Sequence, residues 1–294
     1  SLLLQVAKEI HRKGGEVSGY YGQEKNPSTY NLARMNMILH GVHYRSFDIQ
    51  QDDTLEDPHH IAKRFEAVVA NPPFSVAWSS NDGFKSDERF SDYGKLAPAS
   101  KADFAFVQHM LFQLDENGTM AVVLPHGVLF RAAAEGHIRK YLIEQKNCLD
   151  AVIGLPANIF YGADIPTCIL LFKKQRKNYE NILFVDSSKY FEKATNQSQL
   201  RDEDIFRILD VVEKRISIDK FSYVANIKEV IEENDCNLNI LRYVDTFEDD
   251  EEIDLSAISK QIVGIESSIS KTNNDLEAFC KCLNIEPPFG SVNE

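Results

Sequence analysis

Short apolar runs alternate with helical segments along much of this chain, and this alternation is the feature that most limits its fold. In the helical stretch "NPSTYNLARMNMILHG", Asn26 can cap the helix, Pro27 suits its first turn and Gly41 can end it. The runs between such stretches have the β-branched or alternating character of strands. They read "EVSGYYGQE", "YRSFDI", "FEAVVA", "GTMAVVLP", "CLDAVIGLP" and "TCILLFKK". This order predicts an α/β fold with a parallel sheet and late strands that pair antiparallel.

Two stretches depart from the alternation. Residues 75–100 are rich in Ser, Asp, Gly and Asn without a clear period, so we expect a long loop on the substrate side. Beyond "NILFVD" the pattern becomes helical and charged. We therefore predict a core domain over residues 1–190 and a helical region over residues 191–294, with a boundary near residue 190.

The last part of the chain carries the clearest periodicity, over about residues 255–285. Apolar residues recur there at alternating steps of three and four, which is the a/d seam of a coiled coil. The seam consists of Leu255, Ile258, Ile262, Ile265, Ile269, Thr272, Leu276, Phe279 and Leu283. A helix that pairs with partner helices and an amphipathic helix lying on its own domain both fit this pattern.

The composition narrows the functional classes. A net charge of −13 argues against a chain that grips nucleic acid unaided, because Lys and Arg normally supply most of that affinity. The five cysteines form no CxxC pair or His-flanked cluster, so we expect reduced thiols and no structural metal site. No membrane span or signal peptide is indicated, and the cytoplasm is the expected compartment.

The strand "FEAVVA" ends abruptly in Asn71, Pro72, Pro73 and Phe74. Ligands of open α/β sheets bind beyond the carboxyl ends of strands, so this turn lies where chemistry is expected. The prolines fix the backbone, and the oxygens of Asn71 and Pro72 can hold both hydrogens of an amino group while Phe74 stacks on its ring. Such a site suits methylation of a planar amine. The competing interpretation is turn chemistry alone, since these are turn-forming residues.

Several stretches together resemble one family. "NPPF" is similar to the (N/D/S)PP(Y/F) motif of S-adenosylmethionine-dependent amino-methyltransferases, and the flanking text resembles the modification subunit of type I restriction-modification systems. The matching stretches are "YYGQEKNPSTYNLARMNMILHG", "LPHGVLFR", "AEGHIRKYLIE", "VIGLPANIFYGADIPTCILLFKK" and "NLNILRYVD". The resemblance covers most of residues 1–245.

This resemblance implies a Rossmann-like methyltransferase sheet and an adenine-specific DNA methyltransferase that makes N6-methyladenine. By it, Asn71 and Pro72 hold the adenine amino group, Pro73 locks the turn and Phe74 stacks on the base. The target base must be flipped out of the duplex to reach such a pocket. Phe160 and Tyr161, in "NIFYG", are candidates for the opposite face of the base or for core packing.

The resemblance also implies a set of residues around the cofactor S-adenosylmethionine. Glu24 matches the acid that binds the ribose hydroxyls, and Asp53 matches a short acidic motif near the cofactor adenine. Asp103 and Phe104 match a segment lining the same pocket, with helix capping as the alternative for the acid.

One part of the family pattern is missing from these residues. The family has a first strand followed by a glycine-rich turn against the cofactor, whereas this chain begins "SLLLQVAKE", which follows that turn in the family. We therefore expect a chain truncated at its N-terminus and a sheet with two exposed strand edges where the first strand belongs. We also expect these 294 residues alone to bind S-adenosylmethionine weakly or not at all.

The implied partners are DNA, a specificity subunit that reads the DNA, a restriction subunit and a second modification subunit. The periodic tail is consistent with docking to long helices of the specificity subunit. Two alternatives remain at this point. One is a truncated binding module that occupies the specificity subunit without catalysis, and the other is a protein-glutamine N5-methyltransferase, whose reaction also uses an Asn-Pro-Pro-aromatic turn.

Overall fold

A computed structural model describes residues 2–160, 164–194, 197–246 and 255–286 of the protein. The chain divides into one unit over residues 1–246 and a second over residues 247–294. The helices are α1 (Leu2–Arg12), α2 (Pro27–Leu39), α3 (Asp103–Gln113), α4 (Ala133–Glu144), α5 (Asp202–Lys214) and α6 (Leu255–Leu283). The strands are β1 (Tyr20–Gln23), β2 (Phe47–Gln50), β3 (Phe65–Ala70), β4 (Leu114–Pro125), β5 (Leu149–Gly154), β6 (Thr167–Lys173), β7 (Asn181–Asp186), β8 (Glu192–Lys193), β9 (Ser198–Gln199) and β10 (Ser222–Asn226).

The start of α2 follows the local chemistry expected from its sequence. The side chain of Asn26 accepts hydrogen bonds from the backbone N–H groups of Ser28 and Thr29, at 2.9 and 3.1 Å. Pro27 occupies the first turn, where a missing N–H costs nothing. Beyond the helix, Gly41 adopts a φ of 79°, a left-handed conformation that favours glycine. The cap and the stop fix the connection between β1 and β2.

The main sheet has six strands in the order β10-β7-β5-β6-β4-β3. β3 runs parallel to β4 and β5 parallel to β7, whereas β6 is antiparallel to both of its neighbours and β10 is antiparallel to β7. The predicted α/β class and the late antiparallel strands are confirmed. Each residue of β5 is buried, as expected for a strand covered on both faces.

A second, two-stranded sheet pairs β1 with β2 in parallel. Within the described residues, β1 pairs only with β2 and β3 pairs only with β4, so each leaves one edge without a strand partner. Strand pairing therefore does not join the two sheets within the described residues. Residues of both strands line one cavity.

The boundary predicted near residue 190 is wrong. β10, at residues 222–226, pairs along its whole length with β7, and Phe221 beside it is fully buried. The residues up to 246 therefore complete the sheet and core of the first unit. The sequence does not reveal that β10 belongs to the sheet, because the helical pattern of α5 dominates this region. Pairing between strands so far apart in the chain leaves no local sequence signal.

The predicted heptad helix is confirmed as α6, which ends at Leu283. Its apolar seam residues are exposed, and the most exposed of them is Leu255, at 76%. None of the described helices has both the length and the apolar content required to cross a lipid bilayer.

The long loop of residues 75–102 is built around aromatic side chains. The rings of Trp78, Phe84 and Phe90 lie with centroids 5.1 to 5.6 Å apart. Short 3-10 helices at Asp82–Ser86 and Ser91–Tyr93 shape the segment between them. The loop thus has a small core of its own, although its sequence shows no helical or strand period.

Arg89 ties this loop to its surroundings. Its guanidinium donates to the backbone carbonyls of Thr54 and Leu55, at 3.2 and 2.8 Å, and pairs with Asp87 at 2.7 Å. It also lies 3.2 Å from Nδ1 of His109. Arginine has no acceptor, so this ring nitrogen must accept and the imidazole must be neutral. Burial, reinforced by the positive charge of Arg89, lowers the pKa of His109 to about 4.

This neutral histidine predicts a loss of stability in mild acid. The folded protein resists protonation of His109 until about pH 4, whereas an unfolded chain takes up that proton near pH 6.5. The contribution of His109 to the free energy of unfolding is therefore fully present above pH 6.5. It falls by about 3 kcal/mol as the pH drops to about 4. Urea denaturation at pH values across this window measures the change.

The matched variant is His109→Asn, because the Asn oxygen can replace Nδ1 as the acceptor for Arg89 but does not titrate. It is less stable than the wild type at neutral pH, since it leaves a cavity. Its free energy of unfolding should nevertheless change less between pH 6.5 and 4. Parallel curves for the two proteins would contradict the assignment.

Candidate active site at the carboxyl end of β3

The turn that follows β3 presents acceptors on a fixed backbone. Asn71 and Pro73 are exposed, Pro72 is buried and Phe74 is half-buried. The pairing of β3 with β4 ends at Ala70, directly before this turn. Among the described residues, none donates a hydrogen bond to the carbonyls of Asn71 or Pro72. The two oxygens and the Asn71 side chain are therefore available to a ligand that brings donors.

A cavity of about 330 Å³ lies beside the turn. Glu24, Asn71, Pro72 and Pro73 all line it, so the structure brings together residues that lie almost fifty positions apart in the sequence. Residues of β1 and β3 also line it. Both sheets thus contribute residues to the cavity.

One face of α3 also lines this cavity. Phe106, His109, Met110 and Gln113 contribute to the lining. Their spacing is that of a single helical face. The apolar period of this helix marks Val107, Met110, Leu111 and Leu114, which are all buried in the core, so Met110 belongs to both faces. The sequence feature that could have identified the cavity-lining face is its mixture of polar and apolar residues at helical spacing.

Glu24 and Asp53 lie at the ends of neighbouring parallel strands. Glu24 directly follows β1, and its Oε1 accepts the N–H of Asn26 at 2.8 Å. Asp53 lies in the turn after β2, where it accepts the N–H of Leu55 at 2.9 Å and pairs with Lys25 at 2.8 Å. Burial alone would raise the pKa of Asp53, but Lys25 and backbone N–H groups outweigh it, so the pKa is lowered. Asp53 stays ionised, and Thr54 beside it reaches the cavity.

Asp103 and Phe104 begin α3 but do not line the cavity. Phe104 is 1% exposed and belongs to the hydrophobic core. The carboxylate of Asp103 accepts hydrogen bonds from the backbone N–H and hydroxyl of Ser75, at 2.8 and 3.2 Å, and caps no helix. A direct contact of either residue with a cofactor stays a prediction.

Two aromatic rings meet beside the turn. The ring centroids of Phe160 and Phe74 lie 6.0 Å apart, and the ring planes are at 74° to each other. The residues are distant in sequence, so the fold has brought Phe160 to the turn, and a contact of its ring with the base stays a prediction. Tyr161 lies outside the described residues.

Among the described residues, one group has side chains close enough to hold a metal ion. It comprises Asp52, Asp57 and His59, whose ligand atoms lie within 4.8 Å of one another. Asp52 pairs with His59 at 3.3 Å, and the group is largely exposed. An exposed hydrogen bond between the side chains of Asp52 and His59 accounts for their proximity.

The arrangement defines what the site can do. Rigid carbonyl and amide oxygens can orient both hydrogens of a planar amine, and Phe74 offers an apolar surface to its ring. The adjacent cavity combines the carboxylate Glu24 with the apolar side chains Phe106 and Met110. A second ligand with hydroxyl groups and an apolar portion suits that lining.

Comparison with curated proteins gives consistent relatives. The chain is 40% identical over 272 residues to the type I restriction enzyme MpnII methylase subunit of Mycoplasma pneumoniae, covering 89% of this chain and 50% of that protein. It is 35% identical over 253 residues to the MjaVII methylase subunit of Methanocaldococcus jannaschii, covering 82% of this chain and 43% of the relative. The chain therefore spans about half the length of the curated relatives it matches.

A solved structure and a family profile agree with these relatives. The type I restriction-modification system methyltransferase subunit of Streptococcus thermophilus superposes with a TM-score of 0.77 and 49% identity, covering 82% of this chain and 52% of that one. The sequence profile of the N-6 DNA Methylase family matches residues 1–252. With both the sheet and the turn after β3 in place, the chain belongs to the N-6 DNA methylase family.

Proposed function

We propose that this protein is the modification subunit of a type I restriction-modification system and transfers a methyl group to the N6 nitrogen of adenine in DNA. The observation that carries the proposal is the turn after β3. There, the acceptors of Asn71 and Pro72 lie beside Phe74 and next to a cavity lined by Glu24. The names of the curated relatives support the same activity.

The residues around the cavity fit part of S-adenosylmethionine. Glu24 would accept hydrogen bonds from the ribose hydroxyls, and Phe106 and Met110 would contact apolar parts of the ligand. Asp53 holds Lys25 and the turn after β2, which keeps the ends of β1 and β2 together. When bound, S-adenosylmethionine supplies an electrophilic methyl carbon to which the amine nitrogen adds, and the carbon–sulfur bond breaks.

The chain's own residues act on the amine. Asn71 and the carbonyl of Pro72 accept its two hydrogens, so the nitrogen lone pair points in one direction. No strongly basic group is required, because the proton leaves after the nitrogen has gained the methyl group. Asn71 is exposed, so this proton can pass to water. Phe74 and Phe160 would contact the ring of an adenine flipped out of the duplex.

Partners would supply the grip on DNA. With a net charge of −13, the chain lacks the excess of Lys and Arg that neutralises phosphates. The proposed complex contains a specificity subunit that reads the DNA, a second modification subunit and a restriction subunit. The exposed seam of α6 is the proposed docking surface for helices of the specificity subunit.

Two alternatives lead to different experimental results. A protein-glutamine methyltransferase is disfavoured, since the curated relatives are methylase subunits of restriction enzymes. A binding module without catalysis would join the specificity subunit but transfer no methyl group. Transfer of labelled methyl from S-adenosylmethionine to DNA, measured with the partner present, distinguishes this module from the proposed enzyme.

Asn71→Ala should abolish most of the transfer. Loss of a positioned hydrogen-bonding group at a reacting centre costs on the order of a hundredfold or more in rate. We expect this loss in single-turnover methylation by the complex, with the dissociation constant for S-adenosylmethionine changed less than about threefold.

Asn178→Ala is the matched control for this substitution. Asn178 is another exposed asparagine, in the turn between β6 and β7. In its described hydrogen bonds, its backbone carbonyl accepts from Arg176 and Asn181. The control should methylate at the wild-type rate. A wild-type rate for Asn71→Ala would remove the proposed role of the turn.

Charging the seam of α6 should separate the protein from its partner. In Ile262→Asp/Ile269→Asp, two carboxylates enter an interface that apolar contacts would otherwise fill, and burying them without partners is costly. We expect binding to the purified specificity subunit to weaken at least about a hundredfold in a titration.

Ser267→Asp adds a negative charge to the same helix away from the seam and should leave binding within about threefold. Circular dichroism checks that the helix content of both variants is unchanged. Wild-type binding by the double variant would show that the seam does not form the interface.

A further inference from the structure

Asp103 is a fully buried carboxylate whose role in the site is not explained by contact with the cavity. Its exposure is 0%. The carboxylate accepts three described hydrogen bonds from residues outside α3. The donors are the N–H of Ser75 at 2.8 Å, the hydroxyl of Ser75 at 3.2 Å and the guanidinium of Arg131 at 3.0 Å. A buried charge is tolerated when it is paired and hydrogen-bonded in this way.

Ser75 is the residue directly after Phe74, and its backbone is strained. Its φ of 51° lies in the left-handed region, which a residue with a Cβ atom occupies at a cost. Such a conformation persists when surrounding contacts enforce it. The two hydrogen bonds to Asp103 supply that enforcement, and they fix the direction in which the turn leaves Phe74.

Arg131 is held from two further directions. Glu135, 2% exposed, accepts from the same guanidinium at 2.9 and 3.2 Å. The guanidinium also packs against Gly127, where a Cβ atom would overlap it. The absence of a side chain in "LPHGVLFR" thus makes room for the cation that neutralises Asp103.

We propose that Asp103 and Arg131 are positioning residues that hold the turn Asn71–Phe74 in its reactive geometry. The inference rests on the proposed methyl transfer. Neither side chain needs to touch the base or the cofactor, because Asp103 acts through Ser75 and Arg131 acts through Asp103. This role differs from cofactor binding, which would require Asp103 to reach the cavity.

Asp103→Asn tests the proposal with little change in shape. One oxygen becomes an NH₂ group, and in either orientation of the amide this group faces a donor, Ser75 or Arg131. In single-turnover methylation by the complete complex at saturating cofactor, we expect the rate constant to fall about tenfold to a hundredfold. The dissociation constant for S-adenosylmethionine should stay within about threefold of the wild type.

A second variant disturbs the Asp103–Arg131 pair by displacing Arg131. Gly127→Ala leaves Asp103 and Ser75 intact but pushes the flexible end of Arg131 away, since φ at Gly127 is not positive and the backbone accepts alanine. It should lower the rate constant in the same direction and also spare cofactor affinity. A wild-type rate in both variants would overturn the proposal.

Asp150→Asn is the control for loss of a buried ion pair. Asp150 is 3% exposed and pairs with Lys173 at 2.9 Å and Arg215 at 3.3 Å. It is the second residue of β5, at the amino end of the strand, whereas the turn follows the carboxyl end of β3. This variant should lose stability and keep the wild-type rate constant. An equal loss of rate in Asp150→Asn would mean that the Asp103 effect is merely structural.

Hydrogen exchange gives a readout that needs no activity. In a peptide covering residues 69–76, Pro72 and Pro73 carry no amide, so the protected N–H of Ser75 contributes strongly. Asp103→Asn should speed its exchange, and Asp150→Asn should not.

If the wild-type complex transfers no methyl group, the proposed function fails, while unchanged exchange in Asp103→Asn overturns the positioning role by itself.

Discussion

Parallel pairing of β3 with β4 is the constraint on which the site depends. It is continuous from Ala67 to Ala70 and ends directly before Asn71. The strand therefore delivers the turn to the carboxyl edge of the sheet, where two prolines prevent the backbone from continuing the ladder. Rigidity at this point comes from both sides, because the ladder holds the residues before the turn and Asp103 holds the residue after it.

Residues of three different elements line the cavity beside the turn. They belong to β1, to β3 and to one face of α3. Polar groups from strand ends, such as Glu24, and apolar groups from the helix, such as Met110, consequently line the same cavity.

The sequence predicted features whose causes are local, and it missed features created by distant contacts. The cap of Asn26, the strand ending at Ala70 and the heptad pattern of α6 can each be recognised within a short window. In contrast, β10 joins the sheet by pairing with a strand about forty residues earlier, which displaced the predicted boundary. The partners of Asp103, which are Ser75 and Arg131, each lie 28 residues away from it, so no local pattern marks these contacts.

The distribution of buried charge differs between the two ends of the sheet. At the amino end of β5, the single carboxylate of Asp150 faces Lys173, Arg176 and Arg215. Near the turn, Asp103 and Glu135 share the one guanidinium of Arg131. Burial raises the pKa of Glu135 against the pull of Arg131, as expected where negative charge is incompletely balanced. Arg131 therefore serves two buried carboxylates at once, so its loss would leave both without this cation, whereas three cations surround Asp150.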